Sequence, residues 1–228
     1  MRHLAIIMDG NRRWARRHQR QILSGHQQGS EALRRTALYA NELGLKVLTV
    51  YAFSTENWKR PLIEVNGLMG LFVTEMTRLL PELHANGIRL RFFGGLSQLS
   101  PDIREKQRES TELTRNNPGM VLQVAMNYGA RQEILQACAA LIEEYQASGR
   151  APSDLKEEDL MKRLYLPDSP DPDAVLRTGG EHRLSNFLLW QAAYSEVFIS
   201  DVLWPDFSPA ELDRVIYEFA QRQRRFGR

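Results

Sequence analysis

Short apolar stretches alternate with longer stretches of helical periodicity along the sequence, and this alternation restricts the fold more than any other feature. Six stretches have the composition of buried strands: 4–8, 47–53, 88–93, 121–126, 174–176 and 196–199. Strands that alternate with helices favour a mostly parallel sheet with helices on both faces. Because no repeat, low-complexity segment or linker divides the chain, we predict a single α/β domain over residues 1–228.

The helical stretches have recognisable beginnings and ends. Apolar residues recur at helical spacing over about 24–43, and Gly44 provides a natural C-terminal stop. A longer helix is predicted over 61–87, and Pro81 should kink or interrupt it near its end. The stretch 208–211, Ser-Pro-Ala-Glu, predicts a capping box with proline at the first position of the last helix.

The composition limits the class of partner. Of the 228 residues, 43% are hydrophobic, which is enough for one sizeable core. The formal net charge is only +2, whereas proteins that bind nucleic acid are usually more basic, so no nucleic-acid partner is expected. Arginines cluster in 12–20 and in 222–228, where they could form solvated faces or contact phosphates.

Cys138 is the one cysteine of the chain and lies in an apolar helical pattern. The sequence therefore predicts no intrachain disulfide and no cysteine metal cluster, a reducing cytoplasm fits, and Cys138 is expected in the core. No apolar run is long enough to span a bilayer, and the N-terminus lacks a signal-peptide pattern. Any membrane contact is therefore expected to be peripheral, where a greasy product could leave the protein.

The first predicted strand stops abruptly at Asp9-Gly10, and a basic, potentially helical stretch follows at once. Gly10 allows a sharp turn, and the amides at a helix N-terminus attract anions, to which Arg12 and Arg13 would add charge. The Asp9 carboxylate suits a hard cation such as Mg²⁺, which bridges to phosphate oxygens. The alternative is that Asp-Gly forms only a turn after the strand.

Polar residues follow four of the predicted strands, and the carboxyl ends of parallel strands lie at one edge of a sheet. These stretches are 9–13, 54–60, 127–131 and 177–185. Arg177 and Arg183 flank a Gly-Gly turn, and their planar guanidinium groups together with exposed backbone amides suit the oxygens of a diphosphate. The alternative for both arginines is a solvated surface.

Three further features allow two interpretations each. His26, near a helix start, is either structural or part of the site. Glu196 begins an apolar strand, where an unpaired carboxylate is costly, so it is either a second metal-linked carboxylate or an ion-pair partner in a dimer. The helix over 61–87 is apolar on more than one face and forms either core or the wall of a slot for a hydrocarbon tail. Because neither a Walker A pattern nor G-x-G-x-x-G follows a strand, a nucleotide site is not favoured.

Seven segments, in order along the chain, resemble the motifs of the cis-prenyltransferase family, which includes undecaprenyl diphosphate synthase. They are 3–11, 25–26, 51–61, 127–129, 176–190, 201–206 and 225–227. The resemblance implies a homodimer with a six-stranded parallel sheet and a hydrophobic substrate tunnel. It also implies Mg²⁺-dependent condensation of an allylic diphosphate with isopentenyl diphosphate, which releases pyrophosphate.

The resemblance assigns roles to individual residues. Asp9 matches the metal-binding and catalytic aspartate, and Glu196 matches a glutamate that helps to bind the metal. The remaining matches surround isoprenoid diphosphates: Asn11, Arg13 and His26 at the allylic diphosphate, Ser54, Asn57, Trp58 and Arg60 in a flexible loop, Arg177, Arg183 and Ser185 at the second diphosphate, and Arg225 with Gly227 in a terminal motif that reaches across the dimer. We predict Asp9, Asn57 and His26 as catalytic residues, and Gly10, Arg12, Trp14 and Phe53 as further substrate-binding residues.

Three positions depart from the family pattern. Arg12 stands where glycine is usual, Gly95 where aspartate is usual, and Ile22 where an arginine often grips the allylic diphosphate; Arg12 or Arg20 could replace that charge. These departures motivate an alternative, an irregular head-to-middle enzyme of the lavandulyl type that joins dimethylallyl diphosphate to another allylic diphosphate. A second alternative is a non-catalytic accessory subunit, which the presence of Asp9 disfavours.

Overall fold

A six-stranded sheet forms the centre of the computed structural model, which describes residues 1–222. The strands are β1 (His3–Ile7), β2 (Val47–Ser54), β3 (Arg89–Phe93), β4 (Val121–Tyr128), β5 (Ala174–Thr178) and β6 (Glu196–Ser200). Their order is β3-β4-β2-β1-β5-β6, and every pair is parallel, which confirms the predicted fold class. Arg225 and Gly227 lie outside the described residues.

Helices connect the strands and cover the sheet. They are α1 (Asn11–Arg17), α2 (Ile22–Glu42), α3 (Leu62–Ala85), α4 (Pro101–Thr114), α5 (Ala130–Ser148), α6 (Glu157–Met161) and α7 (Pro209–Gln221). A short 3₁₀ helix at Thr55–Lys59 joins β2 to α3. Between residues 1 and 222, no helix is both long enough and apolar enough to cross a membrane.

Strand β1 is buried on both faces, which explains why its sequence is a continuous apolar run. Leu4 and Ile6 belong to the larger core cluster, which contains apolar residues of α2, α3 and α7. Ala5 and Ile7 belong to a second cluster on the other face, with Phe93 among its members. The central strand thus holds the two layers together.

Three local expectations were wrong. The predicted interruption at Pro81 does not occur, since α3 continues to Ala85. Pro81 and Thr77 are both exposed to water, so water can replace the hydrogen bond that the Thr77 carbonyl loses. No capping box forms at α7, although the helix begins at Pro209 as predicted, because the Glu211 carboxylate accepts hydrogen bonds from Ser200 and Arg214 instead. Cys138 is only partly buried.

Helix α1 packs very closely against α2, because two glycines of α2 face Asn11. A Cβ atom on Gly25 would lie 2.2 Å from the Asn11 backbone oxygen, and one on Gly29 would lie 2.3 Å from Asn11 Oδ1. The N-cap of α1 is Gly10, with a φ of 117°, and a Cβ there would lie 3.0 Å from Leu203. The turn that carries Asp9 is therefore fixed by close backbone packing.

We expect Gly25→Ala to lower the free energy of unfolding by about 1–3 kcal/mol, because the added methyl group forces α1 away from α2. Gly70→Ala is a matched control, since Gly70 is an exposed position within α3 with no atom near its Cβ. That variant should gain about 0.5–1 kcal/mol from helix propensity. Urea denaturation measures both, and equal stabilities of the two variants would contradict the close packing at Gly25.

Candidate active site

A cavity of about 830 Å³ opens at the carboxyl edge of the sheet, within the size range of roughly 300–1,000 Å³ that is usual for ligand sites. One end is formed by residues that the sequence analysis predicted: Asp9, Gly10, Asn11, Arg12, Arg13, His26, Phe53, Ser54, Asn57, Arg60, Arg177, Arg183 and Ser185. The rest of the wall is mostly apolar: Leu33, Ala37, Leu68, Met69, Phe72, Met76, Leu79, Leu83, Leu90, Leu122, Val124 and Met126.

Asp9 lies just beyond β1 with its carboxylate between two guanidinium groups. Arg177 Nη2 donates to Asp9 Oδ2 at 2.9 Å, and Arg13 Nη2 lies 3.3 Å from Asp9 Oδ1. The Asp9 backbone oxygen accepts from Thr178 Oγ1 at 2.7 Å and from the Trp204 amide at 3.0 Å. The side chain remains 30% exposed, so one face of the carboxylate is open to a ligand.

Arg177 is the buried anchor of this group, since β5 carries it to the edge of the sheet with only 5% of its surface exposed. Its Nη1 donates to the Arg183 carbonyl oxygen at 2.5 Å and to Ser185 Oγ at 2.7 Å. Its Nε is buried without a hydrogen-bond partner within the described chain. The Arg183 side chain is exposed and pairs with Glu181 at 2.5 Å, so its guanidinium lies at the rim.

The Gly179-Gly180 turn packs against α1. Arg13 Nη1 donates to the Gly179 carbonyl oxygen at 2.6 Å, and a Cβ on Gly179 would lie 2.3 Å from Arg13 Nη2. Gly179 has a φ of 81°, which disfavours a side chain for a second reason. The sequence predicted this turn as part of a diphosphate site. In the structure its Gly179 carbonyl oxygen holds the Arg13 side chain beside Asp9.

A second cationic group lies on the α2–α3 side of the polar end. Arg60 Nη1 donates to Glu64 Oε1 at 3.2 Å, and Arg12 Nη2 lies 3.6 Å from Glu64 Oε2. Sequence reasoning missed Glu64, although its i,i+4 spacing from Arg60 is typical of a helical ion pair. Burial lowers the pKa of Arg60 from its usual value.

His26 lies beside these two arginines and is partly buried. Burial, and then the positive charges of Arg60 and Arg12, lower the pKa of His26 from 6.5 to about 4. Its Nε2 is buried and has no hydrogen-bond partner among residues 1–222. The imidazole is therefore neutral at physiological pH and offers one polar atom to a ligand.

Two arginines, Arg12 and Arg20, were predicted as possible sources of the charge expected at position 22, and only Arg12 lines the cavity. Arg12 lines the cavity beside His26 and Arg60, whereas the Arg20 guanidinium lies 5.7 Å from the ring centre of Trp14. Trp14 itself does not line the cavity: its Nε1 donates to Asp206 Oδ1 at 2.6 Å.

The 3₁₀ helix after β2 is held by Ser54, the residue that precedes it. The Ser54 amide donates to Asn57 Oδ1 at 3.2 Å, and the Ser54 side chain accepts a hydrogen bond from the Asn57 amide in return. Trp58 is 41% exposed and lies outside the cavity wall, where its Nε1 donates to Asn127 Oδ1 at 2.7 Å. A Cβ on Gly95 would lie 2.7 Å from Asn127 Nδ2, so the departure to glycine at position 95 gives Asn127 room for this contact.

Within one chain, Glu196 lies far from Asp9, so its predicted role as a second metal-binding carboxylate stays a prediction. Glu196 begins β6 opposite Ala174, at the amino edge of the parallel sheet, whereas Asp9 follows the carboxyl end of β1. Its carboxylate accepts from Arg222 Nη1 at 2.6 Å. Over residues 1–222, no three His, Cys, Asp or Glu side chains gather as metal ligands.

The residues at the polar end nevertheless fit a magnesium ion that a diphosphate brings with it. Mg²⁺ is commonly held by one or two carboxylates while substrate phosphates and water complete its coordination. The Asp9 carboxylate is partly open and faces the cavity, so it can be the single protein ligand.

Comparison with known proteins assigns the chain to a family. A family model described as "putative undecaprenyl diphosphate synthase" matches residues 7–227. The chain is a member of the undecaprenyl diphosphate synthase family. A ditrans,polycis-undecaprenyl-diphosphate synthase ((2E,6E)-farnesyl-diphosphate specific) from Pectobacterium atrosepticum is 46% identical to it, over 99% of this chain and 89% of that protein.

Two solved structures have the same fold. Lavandulyl diphosphate synthase from Lavandula x intermedia, in complex with dimethylallyl diphosphate, superposes with a TM-score of 0.96 at 31% identity, over 100% of this chain and 98% of that one. A "probable undecaprenyl diphosphate synthase" from Campylobacter jejuni has a TM-score of 0.83 at 36% identity, over 100% and 99% of the two chains. Sequence identity is thus higher to the undecaprenyl-diphosphate synthase from Pectobacterium, whereas the lavandulyl enzyme has the higher of the two TM-scores.

The lowered pKa of His26 leads to a prediction about its titration in the ligand-free protein. Since its folded pKa of about 4 lies below the ordinary value of 6.5, the imidazole should stay neutral from pH 8 down to about 5.5. Its contribution to stability should be lost as the pH falls from 6.5 toward 4. NMR of the ring protons, assigned by His26→Gln, measures the titration, and a midpoint near 6.5 would contradict the assigned burial.

Proposed function

We propose that this chain is a Z-type prenyl diphosphate synthase, which condenses an allylic diphosphate with isopentenyl diphosphate and releases pyrophosphate. The observation that carries the proposal is one cavity that joins two arginine groups at its polar end to a long apolar wall. Two anionic head groups and one hydrocarbon tail suit such a cavity. The 46% identity to an undecaprenyl diphosphate synthase supports the same reaction class.

The geometry supplies what each stage of the reaction needs. Arg12, Arg60 and neutral His26 bind one diphosphate, and Arg177 with Ser185 binds the other. As the allylic C–O bond breaks, negative charge grows on the departing pyrophosphate, and nearby guanidinium groups stabilise it. Asn57 lines the polar end, where it can orient a phosphate oxygen.

The carbon skeleton is built while water is excluded. The π-electrons of isopentenyl diphosphate attack the allylic carbon, a C–C bond forms, and a proton leaves the new cation for the released pyrophosphate. The apolar wall contributed by Leu68, Phe72 and neighbouring residues of α3 keeps water from trapping that cation.

We also propose that Mg²⁺ is the cofactor, held by Asp9 together with diphosphate oxygens. When bound, it would neutralise charge on the leaving group. The metal role predicted for Glu196 stays a prediction: within one chain Glu196 lies at the edge of the sheet opposite to Asp9 and pairs with Arg222. A hydrophobic tunnel, a cytoplasmic location and peripheral membrane contact stay predictions.

A homodimer is part of the proposal. Strand β6 is an edge strand of the sheet, and it carries the exposed apolar side chain of Val197, next to exposed Tyr194. An exposed, apolar edge strand is a common site of association between copies of a chain. Light scattering gives the mass directly.

The irregular lavandulyl-type reaction is the second candidate, favoured by the TM-score of 0.96 to lavandulyl diphosphate synthase. In that reaction dimethylallyl diphosphate would be joined to a second allylic diphosphate in the same cavity. The identity of 46% to an undecaprenyl-diphosphate synthase, against 31% to the lavandulyl enzyme, supports the linear reaction as the main proposal.

Identifying the products distinguishes these reactions. We expect purified protein with Mg²⁺, an allylic primer and isopentenyl diphosphate to yield linear Z-prenyl alcohols after phosphatase treatment, by mass spectrometry and NMR. A branched or cyclic product from dimethylallyl diphosphate alone would establish the irregular reaction instead. Absence of product from every substrate pair would favour an accessory subunit.

We expect Asp9→Ala to reduce turnover by at least about 100-fold, because it removes the proposed Mg²⁺ ligand and leaves Arg177 without its carboxylate partner. Light scattering and circular dichroism should show an unchanged, folded assembly. Asp154→Ala, at an exposed position far along the chain, is the matched control and should retain activity. Near-normal turnover of Asp9→Ala would contradict the role given to Asp9.

A further inference from the structure

Two charged residues interrupt the apolar wall of the cavity. Arg34 of α2 and Glu75 of α3 both line it, among leucine, methionine and phenylalanine side chains. The Glu75 side chain is only 7% exposed. Neither residue contacts the diphosphate-binding groups, so the proposed chemistry leaves both unexplained.

These residues belong to a chain of ion pairs that crosses from α2 to α3, which we name the charged seam. Arg34 Nη1 lies 2.8 Å from Glu82 and its Nε lies 2.6 Å from Glu31. Arg78 Nη2 continues the chain, 3.2 Å from Glu31 and 2.7 Å from Glu75. Glu31 and Arg34 come from α2, and the other three members come from α3.

The charged seam lies well below the polar end. Arg34 is just over two helical turns beyond His26, which corresponds to roughly 12 Å along α2. Glu75 is about three turns beyond Glu64, roughly 16 Å along α3. A hydrocarbon chain that starts at the diphosphate groups therefore passes several apolar residues before it reaches the seam.

The seam resists both ways of accommodating a longer chain. If α2 and α3 separate, the two ion pairs that join them, Arg34–Glu82 and Arg78–Glu31, are broken, although Glu75 keeps Arg78 on its own helix. If the helices stay in place, a hydrocarbon chain that continues past Glu75 and Arg34 excludes water from charged groups without replacing it with hydrogen bonds.

We propose that the charged seam sets the upper limit on the length of the hydrocarbon chain that this cavity accepts. The proposal rests on the proposed function, because it takes the apolar wall to be the place of the growing prenyl chain. Glu75 is the central specificity-determining residue, since it is the most buried member and faces the cavity. Replacing it with an apolar residue should let products grow longer without altering the diphosphate groups.

Product length measures the effect directly. Glu75→Leu should shift the main product by at least one five-carbon unit, and Arg34→Leu should shift it in the same direction. Glu75→Gln, which keeps a polar partner for Arg78, should stay near the wild-type length. Glu105→Leu, which removes an exposed ion pair with Arg108 on α4, is the matched control and should leave the length unchanged. Folded Glu75→Leu and Arg34→Leu proteins with wild-type product lengths would overturn the proposal.

A binding measurement separates this proposal from the proposed function. Without Mg²⁺ or isopentenyl diphosphate, the affinity of the wild-type protein for allylic diphosphates of 10, 15, 20 and more carbons should rise and then stop rising, as measured by calorimetry. In Glu75→Leu the affinity should continue to rise for longer chains. For the longest of them, its Kd should be at least about tenfold lower than that of the wild-type protein. If binding shows this limit but no product forms, the proposed reaction fails alone. If products form and the limit is the same in both proteins, the seam proposal fails alone.

Discussion

The buried guanidinium of Arg177 is the constraint on which the rest of the site depends. A charge that is only 5% exposed is stable only when it is paired and hydrogen-bonded. Its partners are the Asp9 carboxylate, the Arg183 carbonyl oxygen and the Ser185 hydroxyl group. Because these lie on the turns after β1 and β5, one side chain fixes both turns relative to each other, and displacing any partner leaves a buried charge partly unsatisfied.

The polar end contains two groups of the same composition, each with two guanidinium groups and one carboxylate. Arg13 and Arg177 surround Asp9, while Arg12 and Arg60 flank Glu64. Adjacent residues of α1 supply one arginine to each group, because successive side chains of a helix point in different directions. Each group carries a net positive charge, so the cavity attracts two anions. The neutral His26 adds a polar atom without adding a third positive charge to the second group.

Patterns that act over a few residues were sufficient for the fold and for most of the site. Apolar runs and helical spacing located all six strands, and the rule for carboxyl edges brought together Asp9, the loop after β2 and Arg177. The contact between Trp14 and Asp206 joins distant parts of the chain, so local sequence contained no sign of it. The position of Glu196 at the start of a parallel strand already indicated that, within one chain, it lies at the edge of the sheet opposite to Asp9.

Helix α3 shows why an apolar pattern alone could not decide between core and cavity wall. Leu80 packs only in the core, whereas Met76, Leu79 and Leu83 are buried and also line the cavity. Both interpretations therefore apply to the same helix on adjoining faces. A wall whose side chains are packed from behind cannot yield freely, because interiors are close-packed and resist changes in volume. The dimensions of the cavity then depend on core packing and on the polar contacts between α2 and α3, and both are tertiary properties that the sequence of α3 does not reveal.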